Sequence, residues 1–137
     1  MPIVELTRRT HFCAAHRLHS PHLSDEENAR VYGPCNNPYG HGHNYYLEVT
    51  IEGEPDPRTG MVINLKELDD IIENEITSVC DHHNFEYDVP FTHGMISTVE
   101  NLVVAIWNIL EKNIPRGRLK QIRLWESENN SATYCGK

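Results

Sequence analysis

The chain has 137 residues, with 12 basic against 20 acidic side chains and a formal charge of −8. That length predicts one domain spanning 1–137, and the acidic balance argues against a duplex nucleic-acid binder, whose footprint is usually net basic. No apolar run reaches the ~20 residues of a membrane span, and the opening MPIVELTRRTHF lacks the apolar centre of a signal peptide, so the expectation is a cytoplasmic protein with no membrane or nucleic-acid partner.

The elements follow in chain order. Segment 3–15 alternates partially and predicts a strand. Residues 17–40 look irregular, and a loop that long inside a small domain is usually functional. Segment 44–52 places Tyr45, Leu47, Val49 and Ile51 on one face, the pattern of a half-buried strand. Turn residues fill 53–60, and Met61-Val62-Ile63 reads as the return strand of a hairpin. A helix is predicted over 65–79, with Asn64 as N-cap, Glu67 at N3 and an apolar stripe of Leu65, Leu68, Ile71, Ile72, Ile76 and Val79. A second is predicted over 98–113, capped by Ser97 with Glu100 at N3, and stopped by Pro115 and Gly117. Strands near 118–126 and 131–135 close the chain. Antiparallel strands with two helices on one side make an α+β domain. Leu, Ile, Val and Phe form about 24% of the chain, above the ~20% below which disorder sets in.

Four cysteines (13, 35, 80, 135) are too few and too scattered for a disulfide framework, and no CxxC occurs. Histidine is over-represented, at 9 residues. Gly40-His41-Gly42-His43 stands at the entrance to the 44–52 strand. Residues two apart in an extended chain share a face, so His41 and His43 can offer two imidazoles to one ion, with the glycines leaving room. A lone HxH is weak evidence, because many such histidines are simply exposed. His16 strengthens it, since the first strand can pair beside 44–52, and three neutral histidines with an open position is a catalytic zinc arrangement. Calcium and magnesium prefer oxygen ligands.

Cys35, six residues before His41, is open to three readings: a fourth ligand, a base or nucleophile, or an inert loop thiol. Asp81-His82 juxtaposes a carboxylate and an imidazole, as an acid–base relay requires, although neighbours in sequence need not touch. Glu126 ends an apolar strand and is either an exposed strand end or an acceptor for a ligand.

Phe12 to His16, Leu23-Ser24-Asp25-Glu26-Glu27-Asn28, Cys35 to Tyr45 (CNNPYGHGHNY), Gly60 to Leu65, Asp81-His82, Ser97 to Asn101 and Trp125 to Asn130 resemble the 6-pyruvoyl tetrahydropterin synthase family, within the wider 6-carboxytetrahydropterin synthase group. The resemblance covers about Thr7 to Tyr134. It implies His16, His41 and His43 as zinc ligands, Cys35, Asp81 and His82 as the proton-transfer group, Glu126 as the pterin anchor and Thr98 as a second pterin contact. Val99 departs from the family pattern Ser-Thr-Thr-Glu-Asn. The implied fold is the tunnelling fold: a four-stranded antiparallel sheet with two helices on one face, its copies closing into an oligomeric barrel in a homo-hexamer, a dimer of trimers.

The implied reaction converts 7,8-dihydroneopterin triphosphate to 6-pyruvoyl-tetrahydropterin with release of triphosphate, toward tetrahydrobiopterin. Magnesium would accompany the triphosphate. Arg8, Arg9, Arg17 and Arg30 are candidates to meet that anion. Three rivals stand: 6-carboxytetrahydropterin synthase of deazapurine synthesis, disfavoured by the Cys-x5-His-x-His spacing; a folate-pathway side-chain-cleaving relative, disfavoured by Cys35 where that relative carries glutamate; and a non-catalytic pterin- or zinc-binding scaffold, disfavoured by Cys35, Asp81 and His82 together.

Overall fold

A computed structural model describes residues 2–137. Its strands are β1 (Val4–His16), β2 (His41–Gly53), β3 (His83–Asn84), β4 (Arg118–Trp125) and β5 (Ser131–Tyr134), and its α-helices are α1 (Asp25–Tyr32), α2 (Leu65–Ile72), α3 (Ser78–Cys80) and α4 (Val99–Asn113). The sheet runs β3-β1-β2-β4-β5. Its four longer strands pair antiparallel with one another, as the α+β reading predicts. The two-residue β3 adds a parallel pairing to β1, so the sheet is five-stranded and mixed rather than four-stranded and antiparallel. Two residues are too short a run to leave a periodic signature.

One face of the sheet is apolar. Tyr45, Leu47, Val49 and Ile51 of β2 are completely buried, next to Phe12 and Ala14 of β1 and Ile122 and Leu124 of β4. Phe12 lies opposite Tyr45, and their rings stack 5.2 Å apart. Leu68, Ile72 and Ile76 from one helical segment and Leu102, Val103, Ile106 and Leu110 from α4 cover this face and complete the core. Trp107 of α4 meets Tyr134 of β5 edge-on at 5.4 Å. The other face bears Arg9, Tyr46, Glu48 and Trp125, joined by an Arg9 guanidinium 4.4 Å from the Tyr46 ring centre and a Trp125 Nε1–H donated to Glu48 at 3.2 Å. Among the described residues no helix is long and apolar enough to cross a membrane.

Four further expectations need correction. Residues 61–63 form no strand: β1 and β4 already occupy both edges of β2. That segment closes its own loop instead, Asp56 N–H donating to the Met61 carbonyl at 3.0 Å, while Ile63 is buried.

The 17–40 stretch is not irregular throughout, since it holds α1 and a 3₁₀ turn over Gly33–Asn36. α1 has no apolar stripe to reveal it, but Ser24 and Glu27 form a full capping box. Its buried Asn28 donates to the carbonyls of Ser20, Leu23 and Ser24 and accepts from Ser20 N–H at 2.7 Å, which ties the preceding loop to the helix.

The 65–79 helix is interrupted by a π segment over Glu73–Thr77, and the Asn64 side chain caps Lys66 N–H while Glu67 pairs with Arg116. The cap of α4 is Thr98 rather than Ser97: Thr98 Oγ1 accepts Asn101 N–H at 3.2 Å.

Candidate active site and metal centre

Strand register builds the centre of the site. His16 lies directly opposite His41, and Ala14 opposite His43. Side chains alternate faces along a strand, so all three imidazoles emerge on the apolar face at one end of the sheet. Their ring centres are 4.6 Å (16–41), 5.1 Å (16–43) and 4.9 Å (41–43) apart. One nitrogen from each lies within 4.8 Å of the others, and the Cys35 thiol is not among the converging atoms.

His16 Nε2, both nitrogens of His41 and His43 Nε2 are buried with no hydrogen-bond partner. Buried polar atoms are nearly always bonded, and this concentration makes His16, His41 and His43 a group that could hold a metal ion. Three imidazoles with a position left open suit zinc and do not suit an oxygen-seeking cation.

His16 is held from behind. Its Nδ1 donates to the Ser97 carbonyl at 2.8 Å. A carbonyl can only accept, so this bond assigns the proton to Nδ1 and leaves the Nε2 lone pair free. Burial, opposed by that bond, lowers the His16 pKa to about 4. Burial also lowers His43, against the pull of Glu126. Both are therefore neutral near pH 7, the form that coordinates metal.

The two glycines of the motif differ. Gly40 has φ +80°, and a Cβ there would lie 3.1 Å from the His16 carbonyl oxygen, so the left-handed turn and the close approach both require glycine. A Cβ on Gly42 would make only ordinary contact, 3.6 Å from the Ala14 oxygen.

Cys35 lies in the Gly33–Asn36 turn, half-buried. Its carbonyl accepts Leu18 N–H at 2.9 Å, Asn36 Nδ2 donates to the Leu18 carbonyl at 2.7 Å, and Arg17 Nε donates to the Asn36 carbonyl at 2.8 Å. These bonds dock the thiol's turn beside the end of β1. Arg8 is neutralised by Asp69 at 3.0 Å, Arg9 stacks on Tyr46, and Arg30 is exposed on α1.

Glu126 follows β4, its N–H donating to the Asn130 carbonyl at 3.0 Å. Its carboxylate stands 3.9 Å from His43 Nε2. Glu126 and Thr98 line one open cavity of about 650 Å³, with Leu18, Val99 and Asn130. The cavity thus connects through Glu126 to the histidines.

Asp81 and His82 do touch: His82 Nδ1 and Asp81 Oδ2 are 2.9 Å apart. Asp81 Oδ1 accepts Cys13 N–H at 2.9 Å, which with the His82 contact holds the carboxyl below its ordinary range. His82 N–H donates to the Cys13 carbonyl at 2.6 Å, and its φ of 62° is the only positive value at a non-glycine among the described residues. The pair sits at the outer edge of β1, largely exposed, and within this chain none of its hydrogen bonds reaches Cys35 or the histidines.

Sequence reading missed Ser97 and Glu86. Ser97 is buried and donates its hydroxyl to Glu86 at 2.9 Å. A serine before an N-cap threonine resembles a cap, which hid this second use.

Comparison with known proteins places this geometry in context. A family model described as 6-pyruvoyl tetrahydropterin synthase matches residues 5–137. The chain is 47% identical to the human 6-pyruvoyl tetrahydrobiopterin synthase over 97% of its own length and 92% of the relative's. It is 51% identical to the Poecilia reticulata protein of that name, over 96% and 90%. The solved Caenorhabditis elegans 6-pyruvoyl tetrahydropterin synthase superposes with a TM-score of 0.93 at 40% identity, covering 100% of this chain and 98% of that one.

Proposed function

The chain is an enzyme of the 6-pyruvoyl tetrahydropterin synthase family, and on that premise we propose that it converts 7,8-dihydroneopterin triphosphate to 6-pyruvoyl-tetrahydropterin with release of triphosphate. The carrying observation is the set of four buried, unpartnered imidazole nitrogens on His16, His41 and His43, adjoining Glu126 and its cavity. The reaction balances without an external oxidant, because the pterin ring takes up the two hydrogens that one side-chain carbinol gives up. Loss of triphosphate then leaves the second carbonyl and a methyl group.

His16, His41 and His43 would hold one zinc. Bound there, zinc would polarise oxygens of the substrate side chain and so acidify the adjacent C–H bonds. Glu126 accepts hydrogen bonds from the pterin ring N–H and amino groups, and Thr98, beside it in the cavity, gives a second contact. Cys35 is the base that removes side-chain protons. Asp81 orients the His82 imidazole, which relays protons.

The exposure of Asp81-His82 and its separation from Cys35 in hydrogen bonding support a site completed by a neighbouring subunit. A homo-hexamer, built as a dimer of trimers whose sheets close a barrel, would cover the helix-free sheet face. Magnesium would travel with the triphosphate. Four unpaired cysteines suit a cytoplasmic location.

Incubation with 7,8-dihydroneopterin triphosphate, followed by mass spectrometry, tests the reading. 6-Pyruvoyl-tetrahydropterin and free triphosphate are the expected products. A carboxy-tetrahydropterin would move the chain to the deazapurine branch, and unchanged substrate would leave a binding scaffold. Light scattering should give about six times the 15.8 kDa chain mass.

A further inference from the structure

Glu86 is a half-buried carboxylate that pairs with no cation among the described residues, yet three hydrogen bonds fix it. Its own position is set by a compact turn: Glu86 N–H donates to Asn84 Oδ1 at 2.8 Å, and Asn84 N–H to Asp88 Oδ1 at 2.6 Å. Oε1 accepts Arg17 N–H at 2.5 Å, and the Ser97 hydroxyl donates to Oε1 at 3.1 Å and Oε2 at 2.9 Å.

These two partners bracket one ligand. Arg17 is the residue immediately after His16, where β1 ends. Ser97 supplies the carbonyl that holds His16 Nδ1. Without Glu86, the end of β1 and the segment entering α4 would share only the contacts of the His16 imidazole with Ser97, 2.8 Å to its carbonyl and 3.4 Å to its hydroxyl. With it, both walls of the His16 pocket hang from one carboxylate.

We propose that Glu86 is a positioning residue for the metal centre, clamping the Arg17 main chain and Ser97 so that His16 Nε2 points at the ion. This rests on reading the three histidines as a zinc site. Groups that orient a metal-bound histidine typically change metal affinity by ~10–100-fold when removed. A carboxylate joined to the imidazole through a serine and its carbonyl acts one bond further out, which places the expected loss near the lower figure.

The experiment is competition of zinc between the protein and a chromophoric chelator, on wild type, Glu86→Ala, Glu86→Gln and Ser97→Ala. The visible spectrum of the cobalt-substituted forms gives a second readout. Glu86→Ala should weaken zinc binding about tenfold and change the cobalt band. Glu86→Gln, whose amide oxygen can accept from both donors at the Oε1 position, should recover most of that affinity. Ser97→Ala keeps the carbonyl but cuts the link to Glu86, and should fall several-fold below wild type.

Glu86→Ala with affinity within twofold of wild type and an unchanged cobalt band would overturn the inference, whatever its melting temperature. Should Glu86→Ala fail to fold, Ser97→Ala decides: several-fold weakening supports the clamp, and wild-type affinity overturns it. A wild-type protein that binds no zinc overturns the metal reading and this inference with it. Tight wild-type binding with indifferent variants overturns the clamp alone.

Discussion

The two ends of the central sheet handle polar groups in opposite ways. At the end formed by the start of β1, the end of β2 and the start of β4, charges pair: Lys120 contacts Glu5 and lies 3.6 Å from Glu52, and Arg118 Nε donates to Glu52 at 3.0 Å. At the other end, three histidines sit packed among apolar side chains with four ring nitrogens unbonded. Exposed ion pairs of the first kind contribute little and are weakened by salt. Unbonded buried nitrogens cost stability, and a fold retains them where binding later repays that cost. Paired charge marks one end, and a histidine cluster that could hold a metal ion marks the other.

The sharpest way to break this comparison is to remove one ligand. His41→Ala should purify largely zinc-free while keeping its fold, as metal analysis and circular dichroism would show; full zinc occupancy would end the assignment of the three histidines. Next in size is Cys35→Ala. It should retain zinc, oligomeric state and pterin binding but lose turnover by roughly a hundredfold or more. Loss of zinc would make the thiol a ligand, and near-normal turnover would move the proton chemistry elsewhere.

If Glu126 anchors the pterin as proposed, Glu126→Gln puts a donor where an acceptor is needed, so pterin affinity measured by calorimetry should drop about tenfold or more. Unchanged affinity would assign the ring to another anchor. Smallest should be Lys120→Ala at the paired end, with zinc affinity and turnover staying within about twofold of wild type.

That end should instead respond to salt and acid. Arg118 holds the Glu52 carboxyl below its ordinary 4.5. The stability this gives is therefore in place above that pH and disappears as pH falls through the lower folded value. Denaturation series in wild type and Lys120→Ala should converge at high salt, and a Lys120→Ala defect that grows with salt would contradict the surface-pair account.

What was legible in the residues follows the range over which each signal acts. β2 showed itself because four alternating side chains, Tyr45 to Ile51, are fully buried on one face. The spacing of His41 and His43 puts both on one face, which alone is only weak evidence of a metal site. His16 required knowing that β1 and β2 pair in the register that sets it opposite His41, a long-range fact that local pattern only suggests.

α1 was hidden because it carries no apolar stripe, leaving its capping box and acidic first turn as the local evidence. The supposed strand at 61–63 had the right residue types but no vacant edge to join. Ser97 and Glu86 escaped notice because their roles arise from contacts between segments that meet only after folding. The family resemblance implied chemistry that spacing could not, including the roles proposed for Asp81, His82 and Glu126.

The left-handed backbone of His82 has a consequence for directed evolution. A residue with a Cβ at φ 62° is strained, and glycine or asparagine would relax that strain. A library at position 82 screened only for heat resistance should therefore drift toward Gly or Asn. The same library screened for turnover should hold on to His. Two opposed selection outcomes at one codon would mark the place where this enzyme trades robustness for work.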